Sequence, residues 1–130
     1  MHPSTTSICV PISLGELIDK ITILEIKNQH LQGAALTNVQ NELDVLQATL
    51  SDLQLSLDLQ LIERLRMVNA KLWQIEDDIR EKERQQNFDD AFIELARAVY
   101  HTNDQRSQIK REINIAHGSA LVEEKSYQAY

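Results

Sequence analysis

The chain has little of what turns a backbone. Among 130 residues it carries three glycines, Gly15, Gly33 and Gly118, and two prolines, Pro3 and Pro11, and residues 34–117 contain neither type. A β-sandwich, a phosphate-cradling loop or a dinucleotide fold would punctuate such a stretch with tight turns, so the gap argues against all three. Cysteine is nearly absent as well. Cys9 stands alone, which rules out an intrachain disulfide framework and makes the cytoplasm the expected compartment. The opening MHPSTTSICVPIS has neither a basic stretch nor an apolar run of the length a secretory signal needs.

Positive charge is missing from one long segment. Residues 28–63 contain no Lys or Arg, whereas ten of the 13 basic residues lie between Arg64 and Arg111. The acidic segment is therefore expected to lie near the more basic part that follows it. The net charge of −7 argues against a nucleic-acid binder, whose affinity comes from cations neutralising phosphates. No run is long and apolar enough for a membrane span. What is present, 42% hydrophobic and 25% charged residues in a chain of this length, suits a single domain with one core.

Helical periodicity fills that domain. Ser13-Leu14-Gly15-Glu16 reads as a capping box, with Ile12 and Leu17 placed as a hydrophobic staple. Leu17, Ile18, Ile21, Leu24 and Leu31 then form an apolar stripe that Ile23 and Ile26 widen, and Gly33 reads as the stop. The first helix is expected over about 14–32. A second capping box, Thr37 to Gln40, opens a helix over 37–54. Along it Leu36, Val39, Leu43, Leu46, Leu50, Leu53 and Leu57 make a coiled-coil seam, to be met by a helix of this chain or by a second copy. LQLSLDLQL alternates like a strand but has nothing to pair with. It reads instead as a corner near Leu55–Leu57, with Asp58 as N-cap and Leu57 and Ile62 as staple.

The third helix is expected over 58–86 and the fourth over 89–117, the latter capped by Asp89 and closed by Gly118. The exposed side of the third carries Glu76–Arg80 and Asp78–Lys82 at i,i+4 spacing. The two should pair as a long hairpin. The fold class is therefore all-α, an antiparallel bundle of four helices, with an N-terminal arm 1–12 and a C-terminal tail 118–130 that carries too few signals to classify.

One stretch resists explanation by packing. His101 to Gln108, HTNDQRSQ, is eight polar residues in a row, so the fourth helix carries Thr102 and Arg106 where leucines belong. A buried guanidinium without a partner is expensive, and partners must be supplied. An antiparallel hairpin brings Arg106 opposite Asn69 and Thr102 opposite Trp73. The first helix offers Asp19, Glu25 and Asn28 beside its apolar stripe. A polar cluster of Asp19, Glu25, Asn69, Trp73, Asn103, Arg106 and Lys110 follows, either as a structural layer that fixes register or as a ligand pocket.

Other chemistries find no support in the residues. The histidines His2, His30, His101 and His117 form no HxxxH pair, and no Glu-x-x-His spacing exists for a di-iron site. They read as surface residues. Cys9 has no basic neighbour to activate it, and no GxSxG is present. Asp77-Asp78 and Asp89-Asp90 diverge as helix neighbours and read as solvation or capping. Arg64, Arg66 and Lys71 are too interleaved with acids to make a nucleic-acid face. No catalytic residue, metal ligand or cofactor site is expected.

The blocks PISLGELIDKITILEIK (Pro11–Lys27), LWQIEDDIR (Leu72–Arg80), FIELARAVYHTNDQR (Phe92–Arg106), IKREIN (Ile109–Asn114) and EEKSY (Glu123–Tyr127) resemble an uncharacterised bacterial family, a domain of unknown function. The likeness spans nearly the whole chain and brings no reaction, cofactor or catalytic residue with it. It implies a small stand-alone cytosolic helical protein, encoded near genes for sugar and surface-polysaccharide metabolism. LGELIDKITILEIK is also similar in rhythm to the first helix of all-helical chorismate mutases. That family's first-helix arginines are replaced here by Lys20 and Lys27, so the departure falls on the residues that bind its substrate. The expectation is a non-catalytic cytosolic interaction or accessory protein acting through helix packing, as a homodimer or with a protein partner. The alternative is an anionic-ligand-binding protein or enzyme using the polar cluster.

Overall fold

A computed structural model describes residues 6–130 as four α-helices: α1 Leu14–His30, α2 Gly33–Asp52, α3 Leu59–Arg84 and α4 Asp90–Ala116. No strand occurs among the described residues. His2 and the first five residues of the expected N-terminal arm lie outside them.

Three of the starts are set by the local chemistry read above. The Ser13 hydroxyl accepts from the Glu16 N–H at 3.1 Å. Asp58 accepts from the amides of Gln60 and Leu61 at 3.1 and 3.2 Å, and Asp89 from that of Phe92 at 3.0 Å. Each cap satisfies donors that a helix start leaves unpaired. α2 differs from the expectation. It begins at Gly33, four residues before the supposed box, because Leu31 caps α1 and Gly33, at φ +65°, turns the chain straight into the next helix. The Thr37 hydroxyl instead donates back to the Gly33 carbonyl at 3.4 Å.

The later turns manage with little glycine. Gln54 and Gln86 adopt left-handed φ of 52° and 54°. At Gln86 the amides of Gln86 and Asn87 donate to the carbonyls of Glu83 and Lys82, both at 3.0 Å. Gly118 closes α4 in the same way, with Ser119 donating to Asn114 at 2.8 Å. These are Schellman closures, which consume carbonyls left free at a helix end.

α1 is the central helix, as its broad apolar circumference predicts. On one side Leu14 and Ile18 pack with Leu61, Ile62 and Leu65 of α3 and Ile109 and Ile113 of α4. On the other, Leu17, Ile21 and Leu24 pack with Val39 and Leu43 of α2. The leucine seam is therefore met by α1 of the same chain, with Leu46 and Leu50 at its margin and Leu53 exposed. α2 packs along α1 and not along α3 or α4. The expected approach of the cation-free segment to the basic helices is thus corrected: apolar burial, at roughly 1.5–3 kcal/mol per buried Leu or Ile, outweighs weak surface charge attraction.

α3 and α4 form the long hairpin, about 40 Å at 1.5 Å per residue. α1 runs parallel to α3 and antiparallel to α4: Asp19 meets Asn69 and Arg106, and His30 stacks on Trp73 with ring centroids 4.9 Å apart. α1 stops there. Beyond Trp73 on α3 and before Thr102 on α4 the hairpin continues as a two-helix arm, in which Ile75 is the one buried apolar residue among those described. Phe88 and Ile93, near its tip, are 52% and 51% exposed.

Candidate functional site

The polar run of α4 faces α1 at the upper edge of the three-helix core. Asp19 is completely buried, one turn along α1 from Gly15. Its carboxylate accepts from the Asn69 amide at 2.9 Å and from Arg106 Nε at 2.9 Å, while Arg106 Nη2 closes the second arm of a bidentate pair. The planar guanidinium suits this fork geometry, which a lysine could not reproduce. Its bond to Asp19 holds the Arg106 guanidinium above its ordinary pKa, against burial. Asn69 donates a second hydrogen bond to the Thr22 hydroxyl at 2.8 Å, and Thr22 donates to the Asp19 carbonyl at 2.8 Å. Asn103 accepts from Arg106 Nη1 at 3.5 Å.

One turn further along α4, Lys110 lies among three carboxylates: Glu16 at 2.6 Å, Glu123 at 3.4 Å and Asp19 at 3.9 Å. Burial pushes the Glu16 carboxyl up, but the hydrogen bond and charge of Lys110, helped by Lys20, bring it below its ordinary value. Glu16 thus turns to lysines, where the sequence pattern has it reach back to Ser13. Glu123 also accepts from the Ser13 hydroxyl at 3.1 Å. The layer is closed on itself: Arg106 and Lys110 are neutralised by carboxylates of the same chain.

Below the layer α1 meets α4 at backbone distance. The Gly15 amide donates to Asn114 Oδ1 at 2.6 Å, and a Cβ at Gly15 would lie 2.5 Å from the Lys110 carbonyl oxygen. Gly15 is required by this approach, not by a turn. Asn114 is buried and its Nδ2 has no partner.

Of the seven residues expected to cluster, Asp19, Asn69, Asn103, Arg106 and Lys110 come together. Glu25 does not. It lies two turns further along α1 and takes Arg66 at 3.1 Å. Trp73 stands beside the layer, lining with Asn69, Arg106, Ile23, Ile26 and Leu72 a cavity of about 310 Å³. Its indole N–H is buried without a partner. Asn28, the other first-helix candidate, is exposed. Thr22, Glu16 and Asn114 escaped the sequence reading, although Asp19 and Thr22 at i,i+3 on an apolar face were a signal. Glu123 offered none, since the tail has no periodicity.

The tail itself is irregular and lies on α4 through charged groups: Arg111 meets Glu124 at 2.7 Å, and Lys125 and the Tyr130 hydroxyl both reach Asp104. The Tyr130 hydroxyl is pushed up to about 12, chiefly by its hydrogen bond to Asp104. His30 and His101 are exposed, the latter against Tyr100 and Tyr130. His117 departs from the surface expectation: half-buried, it accepts from the Asp58 amide at 3.0 Å with Nε2, while Nδ1 lies 2.9 Å from the Ile113 carbonyl. Among the described residues, no group of three or more His, Cys, Asp or Glu is arranged to hold a metal ion, and no helix is long and apolar enough to cross a membrane.

The family described as a family of unknown function, DUF6165, matches residues 8–130, and the chain belongs to it. No curated protein and no solved structure matches the chain.

Proposed function

We propose, for this member of a family without an assigned activity, a non-catalytic interaction or accessory role exercised through helix packing. One observation carries the reading: the only buried carboxylate, among the described residues, is saturated by the chain's own donors. Asp19 accepts from Asn69 and from both arms of Arg106, and the remaining side of its fully buried Oδ2 faces Lys110 at 3.9 Å, so no position on it is open to a substrate. A general acid or base needs such an opening, and an anion site needs a cation that is not already neutralised. The α3–α4 arm, by contrast, offers apolar side chains that no element of the chain covers.

Arg106→Ala tests this. In a structural layer it strands a buried carboxylate and lowers unfolding stability by about 3 kcal/mol. A variant as stable as the parent in urea unfolding would overturn the reading.

A second reading rests on the cavity beside Trp73, whose unpartnered indole N–H fits a ligand with an apolar body and a carboxylate near Arg106. On that reading a small aromatic carboxylate such as benzoate raises the melting temperature of the parent protein and not of Arg106→Ala. No shift with the parent at millimolar benzoate would dismiss it.

A further inference from the structure

The outward side of α3 in the arm carries a pattern that, read from the opposite end, is its own charge complement. Trp73, Asp77, Arg80, Glu81 and Arg84 fall within about 100° of helical arc, on a 100°-per-residue projection. Phe88 stands in the turn beyond them. In order these are aromatic, acid, base, acid, base, aromatic. A second copy laid antiparallel, with a two-fold axis passing between Arg80 and Glu81, sets Trp73 against Phe88, Asp77 against Arg84 and Arg80 against Glu81. Every one of the six then meets its complement in the partner. The same surface presented to itself in parallel would stack like on like.

The arm is also where such a partner is needed. α1 ends at His30 on the Trp73 ring, so the line it occupies along the hairpin is vacant beyond that point. Asp77, Arg80, Glu81 and Arg84 are exposed, and their ion pairs within the chain are single-helix pairs, Arg80–Glu76 at 3.5 Å and Arg84–Glu81 at 2.7 Å. Exposed pairs of this spacing are worth only about 0.3–0.5 kcal/mol and give way easily. The cavity of about 310 Å³ beside Trp73 has Ile23, Ile26 and Leu72 in its wall, with Asp77 and Arg80 of the charged set lining it on the α3 side. It has room for one more aromatic ring, and Phe88, as many residues beyond Glu81 as Trp73 is before Arg80, is a half-exposed ring set edge-on to Phe92 with 5.1 Å between ring centroids.

We infer that the arm is a homodimer interface: two copies pack antiparallel along α3, each inserting Phe88 into the cavity beside the partner's Trp73, with Asp77–Arg84 pairs between copies fixing the register. An isologous contact of this kind closes at two subunits. This rests on the helix-packing role proposed above and names the partner as a second copy of the chain.

Light scattering on the full chain tests it through a charge swap. The parent protein should be dimeric at micromolar concentration. Asp77→Arg and Arg84→Asp, each placing like charges across the axis, should each raise the dimer dissociation constant by at least about tenfold. Mixed one to one, the two variants should recover the dimer. The reversed arginine of one copy then faces the reversed aspartate of the other, while the untouched Arg84 and Asp77 face each other. Trp73, the single tryptophan, gives a second readout, since its emission should shift on dilution of the parent and not in Phe88→Ala. A monomeric parent, a dimer that neither reversal weakens, or a mixture that stays monomeric would overturn the pairing. A monomeric parent leaves the helix-packing role standing, whereas an Arg106→Ala variant of unchanged stability would remove that role and leave the pairing.

Discussion

The lower and upper halves of the α3–α4 hairpin have the same secondary structure, yet they are held by different forces. Below Trp73 and Thr102 the hairpin is one side of a three-helix core in which Leu65 and Ile113 are completely buried and a closed ionic layer caps the apolar cluster. Above that level the two helices have only each other, apart from Tyr130 of the tail against Tyr100 and His101. The difference is the length of α1: a third helix that ends after 17 residues leaves the far ends of two longer helices uncovered. A helix's stability in a protein comes mainly from the face it buries, so equal helicity does not mean equal stability. The base carries the fold. The arm is left largely uncovered.

Truncations should separate the halves most sharply. Leu65→Ala in the base should cost about 3–4 kcal/mol in urea unfolding, because neighbours on three helices cannot close the cavity. Ile93→Ala in the arm, at a half-exposed position, should cost under about 0.5 kcal/mol. Equal losses would erase the distinction. A smaller effect is expected at Gly15→Ala. The added methyl group meets the Lys110 carbonyl and Asn114, both fixed, so the α1–α4 contact must open at about 1–3 kcal/mol, visible as a lower melting temperature. The same change at Gly33 meets no neighbour and is limited to the strain of its positive φ, about 1 kcal/mol.

Acid should act on the two regions unequally, though modestly in both. Glu16 is held below its ordinary value of 4.5, chiefly by Lys110 once burial is overcome, so its contribution is complete above that pH and is lost as pH falls through the lower folded value. Glu16→Gln should remove that part of the acid-limb decline in stability. In the arm Glu81 is lowered by Arg84 and Asp89 by Lys82, both at the open surface. Molar salt should flatten their part of the profile and leave most of the Glu16 part, since screening reaches exposed pairs first.

What the sequence disclosed follows the range of the interactions involved. Ser13, Asp58 and Asp89 were legible as caps because a cap is made with amides two or three residues away. The polar layer was legible in outline, since Arg106 in a leucine position demands a carboxylate and Asp19 and Asn69 stand on the facing helices. Glu25 was misplaced because a place beside the apolar stripe does not say on which flank; six residues on from Asp19 it stands about 120° round the helix, on the side that meets Arg66. The start of α2 was hidden by Gly33, whose left-handed φ serves a helix-to-helix junction as well as a stop. Glu123 and the tail were out of reach, because the tail has no period and its side-chain contacts with the rest of the chain range from 13 positions, Arg111–Glu124, to 110, Ser13–Glu123. The arm was hidden for a different reason: its charged run EDDIREKER reads as the ordinary solvated side of a helix, and the exposure of its apolar residues is decided by where α1 ends.

Amide hydrogen exchange on the dilute protein tests the two-region account most directly. Amides of Ile18–Leu24, Leu65–Asn69 and Arg106–Ile113 should exchange only through global unfolding. Those of Ile79–Glu83 and Glu94–Ala98 should exchange through local opening, at least about tenfold faster. Arm amides as slow as those of the base, in a protein shown to be monomeric under the same conditions, would contradict it.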